Sequence, residues 1–278
     1  MRLSAMALFL VLVAAAAYAD EIPVATGAAH AARGEKLVAK GDIEGALKAY
    51  LEARKAAPKN EVYVRRAMIL KRVTRLRKLM ATDESPERWG TVAVTLHAFY
   101  LDEGLAKEAL EIDRKAHAQV NTSGSAIRLA ETLLALDRSE EAARLLAARR
   151  GATFHERALQ GVALARLGQR KEAAAVDAAI SLPSEGVSPA QLRDVARLKV
   201  RLGTNDEAFA LLRRSLEQTP EAGLETARKR IRACADFAGV SSLPAFRKVL
   251  ETASKIHDTC SGGDSCGSCP SRDGCGKR

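Results

Sequence analysis

Four cysteines near the C-terminus are the residues of this sequence best suited to chemistry. Glycine and serine surround them, and they follow a C-x5-C-x2-C-x5-C pattern: Cys260, Cys266, Cys269 and Cys275. If the chain is exported, two disulfides are the first expectation, and the spacing does not decide among the three pairings. The alternative is a four-thiolate zinc or iron–sulfur site, because a C-x2-C pair is a recurring half of such sites. The outer gaps suit zinc less well, and free thiols are the third alternative.

No set of residues in the sequence predicts catalysis. The five histidines are scattered and form no H-E-x-x-H pair: His30, His97, His117, His155 and His257. A G-x-S-x-G match at 263–267 lacks the strand and helix of a nucleophile elbow, and the C-x-x-C pair beside it lacks a thioredoxin-like setting. We therefore expect a non-enzymatic protein without a cofactor, unless the tail cysteines hold a metal.

One segment of the chain is strongly basic. It has no acid between Glu61 and Asp83, and seven cations lie beside an apolar stripe: Arg65, Arg66, Lys71, Arg72, Arg75, Arg77 and Lys78. The stripe has helical spacing, so we expect it to be the buried face of the helix: Val62, Ile69, Val73, Leu76 and Met80. A solvated helix face is the ordinary interpretation. The alternative is a docking site for an anionic polymer or another anionic partner.

The N-terminus carries the pattern of a secretory signal peptide. Arg2 precedes an apolar run at 5–17, and Ala17-Tyr18-Ala19 is a small-x-small cleavage pattern. The run is shorter than the roughly 20 residues that normally span a bilayer, so cleavage after Ala19 is expected rather than an uncleaved anchor. We expect an exported protein, periplasmic or secreted, and not transmembrane after cleavage.

Composition favours close-packed helices over a sheet sandwich. Apolar residues make up 47% of the chain but aromatic residues only 4%, and alanine is abundant. The net charge of +10 falls to +9 when the segment with Arg2 is removed. A basic chain raises the question of nucleic acid. Export makes that partner improbable, so anionic envelope polymers, phospholipid head groups or an acidic protein fit better.

A short motif recurs along the chain and predicts repeated helix pairs. In 41–58, Gly41-Asp42 precedes Ala46, Tyr50 and Ala53, and Pro58 ends the segment. Four later alanines each follow a turn residue by five positions: Gly104 and Ala109, Asp137 and Ala142, Gly168 and Ala173, Gly203 and Ala208. Successive alanines from Ala109 are 33, 31 and 35 residues apart, whereas Ala46 and Ala109 are 63 apart. One degenerate unit is therefore expected between them, near 61–88.

The motif resembles the second half of a tetratricopeptide repeat, whose period is 34 residues. The resemblance implies an all-α, right-handed superhelical solenoid of antiparallel helix pairs with a C-terminal helical cap. We predict these segments: a signal peptide at 1–19, a leader at 20–26, the solenoid at 27–220, capping helices at 221–258 and the Cys-rich tail at 259–278. In the cap we expect a last helix at 244–257, and four side chains suit the end of the array: Phe237, Leu243, Phe246 and Leu250.

The resemblance also implies a function, because tetratricopeptide arrays bind proteins or peptides on the surface lined by the first helix of each repeat. Carried over by position, the expected contacts are Glu131, Leu134, His155, Val162, Arg193, Arg197 and Arg201. The three arginines are spaced by four and share one helix face, where they can clamp carboxylates or be ordinary surface residues. We expect a binding scaffold of the cell envelope or exterior. A metal-binding or redox-linked protein acting through the tail is the alternative, and anionic-polymer binding through the basic segment is the second.

Overall fold

A computed structural model describes residues 26–82 and 85–256, and within these ranges the chain forms helices and no strand. The first helices are α1 (26–39), α2 (Ile43–Ala56), α3 (Glu61–Thr82), α4 (Pro86–Asp102), α5 (Ala106–Val120), α6 (Ser123–Ala135) and α7 (Ser139–Ala147). The later ones are α8 (Phe154–Arg166), α9 (Arg170–Ala178), α10 (Pro189–Leu202), α11 (Asn205–Glu217), α12 (Glu221–Ala233), a 3-10 helix (Ala235–Val240) and α13 (Pro244–Leu250). The predicted signal segment and the four tail cysteines lie outside the described residues.

All five predicted turn residues adopt a left-handed backbone, which ends one helix and lets the next run back beside it. Their φ angles are 76°, 74°, 57°, 78° and 90° at Gly41, Gly104, Asp137, Gly168 and Gly203. After each turn residue, the next N–H donates to a carbonyl five residues back, for example Asp42 to Leu37 and Thr204 to Lys199, both at 3.0 Å. This Schellman arrangement uses carbonyls that the helix end leaves unpaired.

The alanine of each motif lies at a contact between helices. Five side chains are 0% exposed: Ala46, Ala109, Ala142, Ala173 and Ala208. A methyl group at these positions lets backbones approach closely, and a larger group would have to displace a neighbouring helix. The predicted all-α fold of antiparallel helix pairs is confirmed.

The chain divides into two compact units between Ala142 and Ala143, within α7. In the first unit, α2 packs on α3, α4 pairs with α5, and α5 packs on α6. In the second unit, α8 pairs with α9, α10 with α11, and α8 also packs on α10. Helices α6, α8 and α10 each begin with a capping box, at Thr122, Thr153 and Ser188. The capping box satisfies free N–H groups at the helix start.

The predicted degenerate unit contains a single long helix, α3, followed by α4. The predicted apolar stripe of α3 needs correction, because Val62 is 69% and Ile69 40% exposed. The buried face instead begins with Ala67 and Leu70 and turns toward Val73 and Met80. The helix packs against both α2 and α4, so a stripe that faces a single neighbour does not describe it.

The C-terminal helices cover the end of the second unit. Phe237 and Phe246 are each 2% exposed, and Phe246 contacts Phe209 of α11 with ring centroids 5.9 Å apart. Leu250 packs against the same cluster, but Leu243 is 38% exposed and does not serve the predicted capping role. The predicted last helix at 244–257 ends earlier, at Leu250.

Candidate binding surfaces

The first half of α3 presents apolar and cationic side chains to solvent. Arg65, Met68, Ile69 and Arg72 follow i, i+3, i+4 and i+7 spacing, so they share one side of the helix, and Val62 lies at its margin. Val62, Met68 and Ile69 are 69%, 58% and 40% exposed, and both arginines are exposed as well. We call these five residues the α3 outer face.

Of the seven predicted cations of this segment, Arg66 turns away from solvent. Its guanidinium donates to both carboxylate oxygens of Glu103, at 2.6 and 2.8 Å, and contacts Glu35 at 3.2 Å. The bonds to Glu103 raise the pKa of Arg66 despite its partial burial. Arg66 therefore holds α3 to α1 and to the turn between α4 and α5. The other six cations are exposed.

A shallow cavity of about 260 Å³ adjoins the α3 outer face. Its lining combines aliphatic, cationic and acidic side chains: Pro58, Lys59, Glu61, Val64, Arg65 and Met68. The cavity is formed where the turn after α2 meets the first turns of α3. It has room for one aliphatic side chain next to the Arg65 guanidinium.

In the second unit, three arginines converge on one carboxylate, Asp236 of the 3-10 helix. Arg166 donates to both of its oxygens at 2.8 Å, Arg197 Nε donates at 2.8 Å and Arg201 Nε at 2.7 Å. Burial raises the pKa of Asp236, but the bond from Arg166 and the charge of Arg197 hold that pKa well below its usual range. The cluster therefore links α8 and α10 to the C-terminal cap.

The predicted arginine clamp thus binds a carboxylate that belongs to the chain itself. Arg197 also donates to Asp194 Oδ1 at 2.7 Å, and Arg193 lies one turn earlier on α10, half-buried. Arg201 remains 34% exposed at its side chain. Arg197 and Arg201 therefore contact carboxylates of the chain itself, which come from Asp194 and Asp236.

The remaining predicted contact residues lie at different depths. Leu134 and Val162 are 1% and 0% exposed, so both side chains pack in the core and are not offered to a partner. His155 is also buried, and its Nε2 lies 2.7 Å from Asp194 Oδ2. Glu131 is half-buried, with Oε2 3.1 Å from His97 Nε2. Burial therefore removes Leu134, Val162 and His155 from the predicted contact surface, whereas Glu131 stays partly accessible.

A buried polar network in the first unit was not predicted. His97 Nδ1 lies 2.8 Å from Asp113 Oδ2, which also accepts from Thr132 Oγ1 at 2.6 Å. Burial lowers the pKa of His97, but its bonds to Asp113 and Glu131 more than offset this and raise the pKa to about 9. An imidazolium between two carboxylates ties α4 to α5 and α6. A polar residue on an otherwise apolar helix face was the signal available for Asp113.

Comparison with known proteins gives a structural similarity and no family assignment. No protein-family model matches the chain, and no curated protein matches it. Among solved structures, the chain is similar to a thermophilic TPR protein of Thermus thermophilus, with 22% identity and a TM-score of 0.38. The match covers 77% of this chain and 98% of the other. The assignment of the fold rests on the helix pairs themselves.

Proposed function

We propose that this chain is a tetratricopeptide-like scaffold that binds proteins or peptides. The observation that supports this most directly is the complete burial of the five repeated alanines, each 0% exposed. Residues that recur build the stack of helix pairs, whereas the exposed residues differ from one pair to the next. Stacked helix pairs of this kind provide extended surfaces for partners.

The exposed surface of the first unit supports a binding role more specifically. Large apolar side chains on the α3 outer face lie beside cations, and a protein without a partner gains nothing from exposing them together. The fold also leaves Arg201 partly accessible in the second unit. Protein partners with acidic groups suit both the α3 outer face and the surface at Arg201. The net charge of +10 on the chain also favours acidic partners.

The experiment is affinity capture from an extract of the cells that make the protein, followed by reconstitution with each purified candidate. We expect at least one partner to bind the full chain saturably in isothermal titration calorimetry. A set of captured proteins that all fail to bind in purified form would overturn the proposal. Polyanions such as heparin serve as competitors, because displacement by any polyanion would indicate unspecific charge attraction.

The proposed location is the cell envelope or exterior, on the basis of the N-terminal pattern and the C-terminal cysteines. We expect the mature protein to begin at Asp20 and its tail to contain two disulfides, without bound metal. Within 26–82 and 85–256, the structure contains no candidate membrane-spanning helix.

Intact-mass measurement and peptide mapping before and after reduction, with metal analysis, test where the mature chain begins and what state the tail cysteines are in. A chain that begins at Met1 would overturn export, and bound metal with free thiolates would favour the alternative tail function.

A further inference from the structure

Helix α3 occupies a stretch of sequence that is nearly one repeat long, and one repeat elsewhere in the chain contains a helix pair. Ala46 and Ala109 are 63 residues apart, against 31 to 35 between the later motif alanines. Two repeat lengths would place a complete helix pair between α2 and the α4–α5 pair, but the single 22-residue helix α3 lies there. Its inner sides contact α2 and α4. Its outer side therefore lacks the cover that a second helix would give.

The uncovered side is unusually apolar for this chain. Eight large apolar side chains are exposed among the described residues, and three of them lie within two turns of α3: Val62, Met68 and Ile69. Burial of such side chains is worth about 1.5–3 kcal/mol each when complete. Contact with a partner at this position would therefore provide substantial stabilisation.

The charges of this surface define the chemistry of what covers it. Arg65 and Arg72 are two helical turns apart, about 10.5 Å along the axis, and Met68 and Ile69 lie between them. Neither arginine forms an ion pair with a residue that the structure describes. The only acid on α3 is Glu61 at its start. A covering element should thus present carboxylates at the same spacing, with aliphatic side chains between them.

We propose that the α3 outer face binds an acidic amphipathic helix of a partner protein, which takes the place of the second helix that α3 lacks. In the partner, acidic residues at positions i and i+7 contact Arg65 and Arg72. Aliphatic residues at i+3 and i+4 cover Met68 and Ile69. The proposal rests on the proposed scaffold function and names the surface and the partner chemistry for it.

The cavity beside the face favours a helix over an anionic membrane surface. An aliphatic side chain of a bound helix can enter the space of about 260 Å³ between Pro58 and Met68. A flat layer of head groups meets the arginines but does not fill that space. The apolar positions are also only two turns long, which suits one segment of a helical partner better than an extended surface.

The test uses the full chain and a labelled synthetic helical peptide with the pattern Glu-x-x-Leu-Leu-x-x-Glu. The Arg65→Glu/Arg72→Glu variant is expected to bind this peptide about tenfold more weakly in fluorescence anisotropy, because two attractive contacts become repulsive. Lys71→Glu/Lys78→Glu is the matched control. Those two lysines have the same spacing and charge on the same helix, but lie about 120° around its axis. The control should change affinity by no more than about twofold.

Two further comparisons make the test specific. A peptide with lysine in place of both glutamates should bind the Arg65→Glu/Arg72→Glu variant and not the wild type. Met68→Gln/Ile69→Gln should weaken binding of the acidic peptide without changing its salt dependence, because the arginines remain. Circular dichroism of each variant confirms that the helices are retained.

Three results would overturn the proposal. The first is no binding of the peptide, and the second is an equal loss of peptide binding in the two charge-reversal variants. The third is that the wild type prefers anionic phospholipid vesicles to the peptide and that Arg65→Glu/Arg72→Glu loses this vesicle binding. The last result would assign the face to a membrane surface. If the purified partner binds wild type and Arg65→Glu/Arg72→Glu equally well, the scaffold function stands and this assignment of its surface fails.

Discussion

At the residue scale, the polar side chains inside this protein hold helices together through partners that are distant in sequence. Asp113 is 16 residues from His97, and Asp236 is 70 residues from Arg166. Sequence periodicity identified Arg193, Arg197 and Arg201 as one face but gave no sign of Asp236, because a carboxylate in a separate, short 3-10 helix shares no helical spacing with α10. Such long-range contacts form when helix pairs pack together. The short motif of a turn residue and a later alanine does not encode them.

The first prediction concerns the pH dependence of stability through His97. Its pKa is about 9 in the folded protein and about 6.5 when unfolded, so its contribution is complete below pH 6.5 and is lost as the pH rises through 9. The maximum contribution is about 3 kcal/mol. Urea unfolding between pH 6 and pH 10 should show stability falling in the wild type and a flatter profile in His97→Gln.

A matched variant separates His97 from the other histidines. His30→Gln changes a half-buried histidine on α1, outside the network, and should keep the wild-type profile. If the fall in stability is equally steep in His97→Gln, another group causes it and the assigned role of His97 is incorrect.

The second prediction concerns the arginine cluster. Asp236→Asn removes the carboxylate that Arg166, Arg197 and Arg201 share and leaves their charges close together with less compensation. Breaking such a buried group costs about 3–5 kcal/mol. Chemical unfolding should show this loss, whereas Asp206→Asn, at an exposed position of α11, should cost about 0.5 kcal/mol or less. Equal stability of the two variants would mean that the cap does not depend on this cluster.

At the element scale, the helix pairs were predictable because their signals are local. A residue with a left-handed backbone and an alanine five positions later are enough to end one helix and allow close approach of the next. The orientation of α3 was not predictable in this way, since its buried side changes from Leu70 to Met80 as its neighbours change. A periodic pattern assumes one neighbour along the whole helix, and Val62 and Ile69 were assigned to the core on that assumption.

A third prediction tests the close approach of α1 and α2. A Cβ added at Gly34 would lie 2.6 Å from two ring carbons of Tyr50, which is 4% exposed and donates its hydroxyl to Glu35. Gly34→Ala should therefore destabilise the protein by about 1–3 kcal/mol, because the rigid ring must move within a packed core. Thermal or urea unfolding measures the difference.

Gly90→Ala is the control for Gly34→Ala. Gly90 also lies within a helix, α4, but outside the backbone of its own helix no atom that the structure describes lies within 4 Å of the added Cβ. Its replacement should raise stability by about 0.5–1 kcal/mol, because alanine loses less backbone entropy than glycine on folding. A stabilised Gly34→Ala variant would contradict the packing described for α1 and α2.

At the scale of the whole molecule, the residues that pack the helix pairs together are not the residues that are exposed to solvent. The motif alanines are completely buried, so the residues that repeat are unavailable to a partner. What differs between units remains exposed, above all the cations and apolar side chains of α3. The fold class was predicted from the sequence, and the cations of α3 were named there as an alternative docking site. The exposure of Val62 and Ile69 was not predicted, because it depends on which helices pack against α3.

Hydrogen exchange of the full chain, with and without the saturating acidic helical peptide, tests the central claim most directly. Amides of α3 at 61–72 should exchange more slowly in the complex, because a bound helix excludes water from the α3 outer face and reduces local opening. Amides of α10 and α11 in the second unit should be unchanged. Protection confined to the second unit, or no protection in α3 at saturation, would contradict the account.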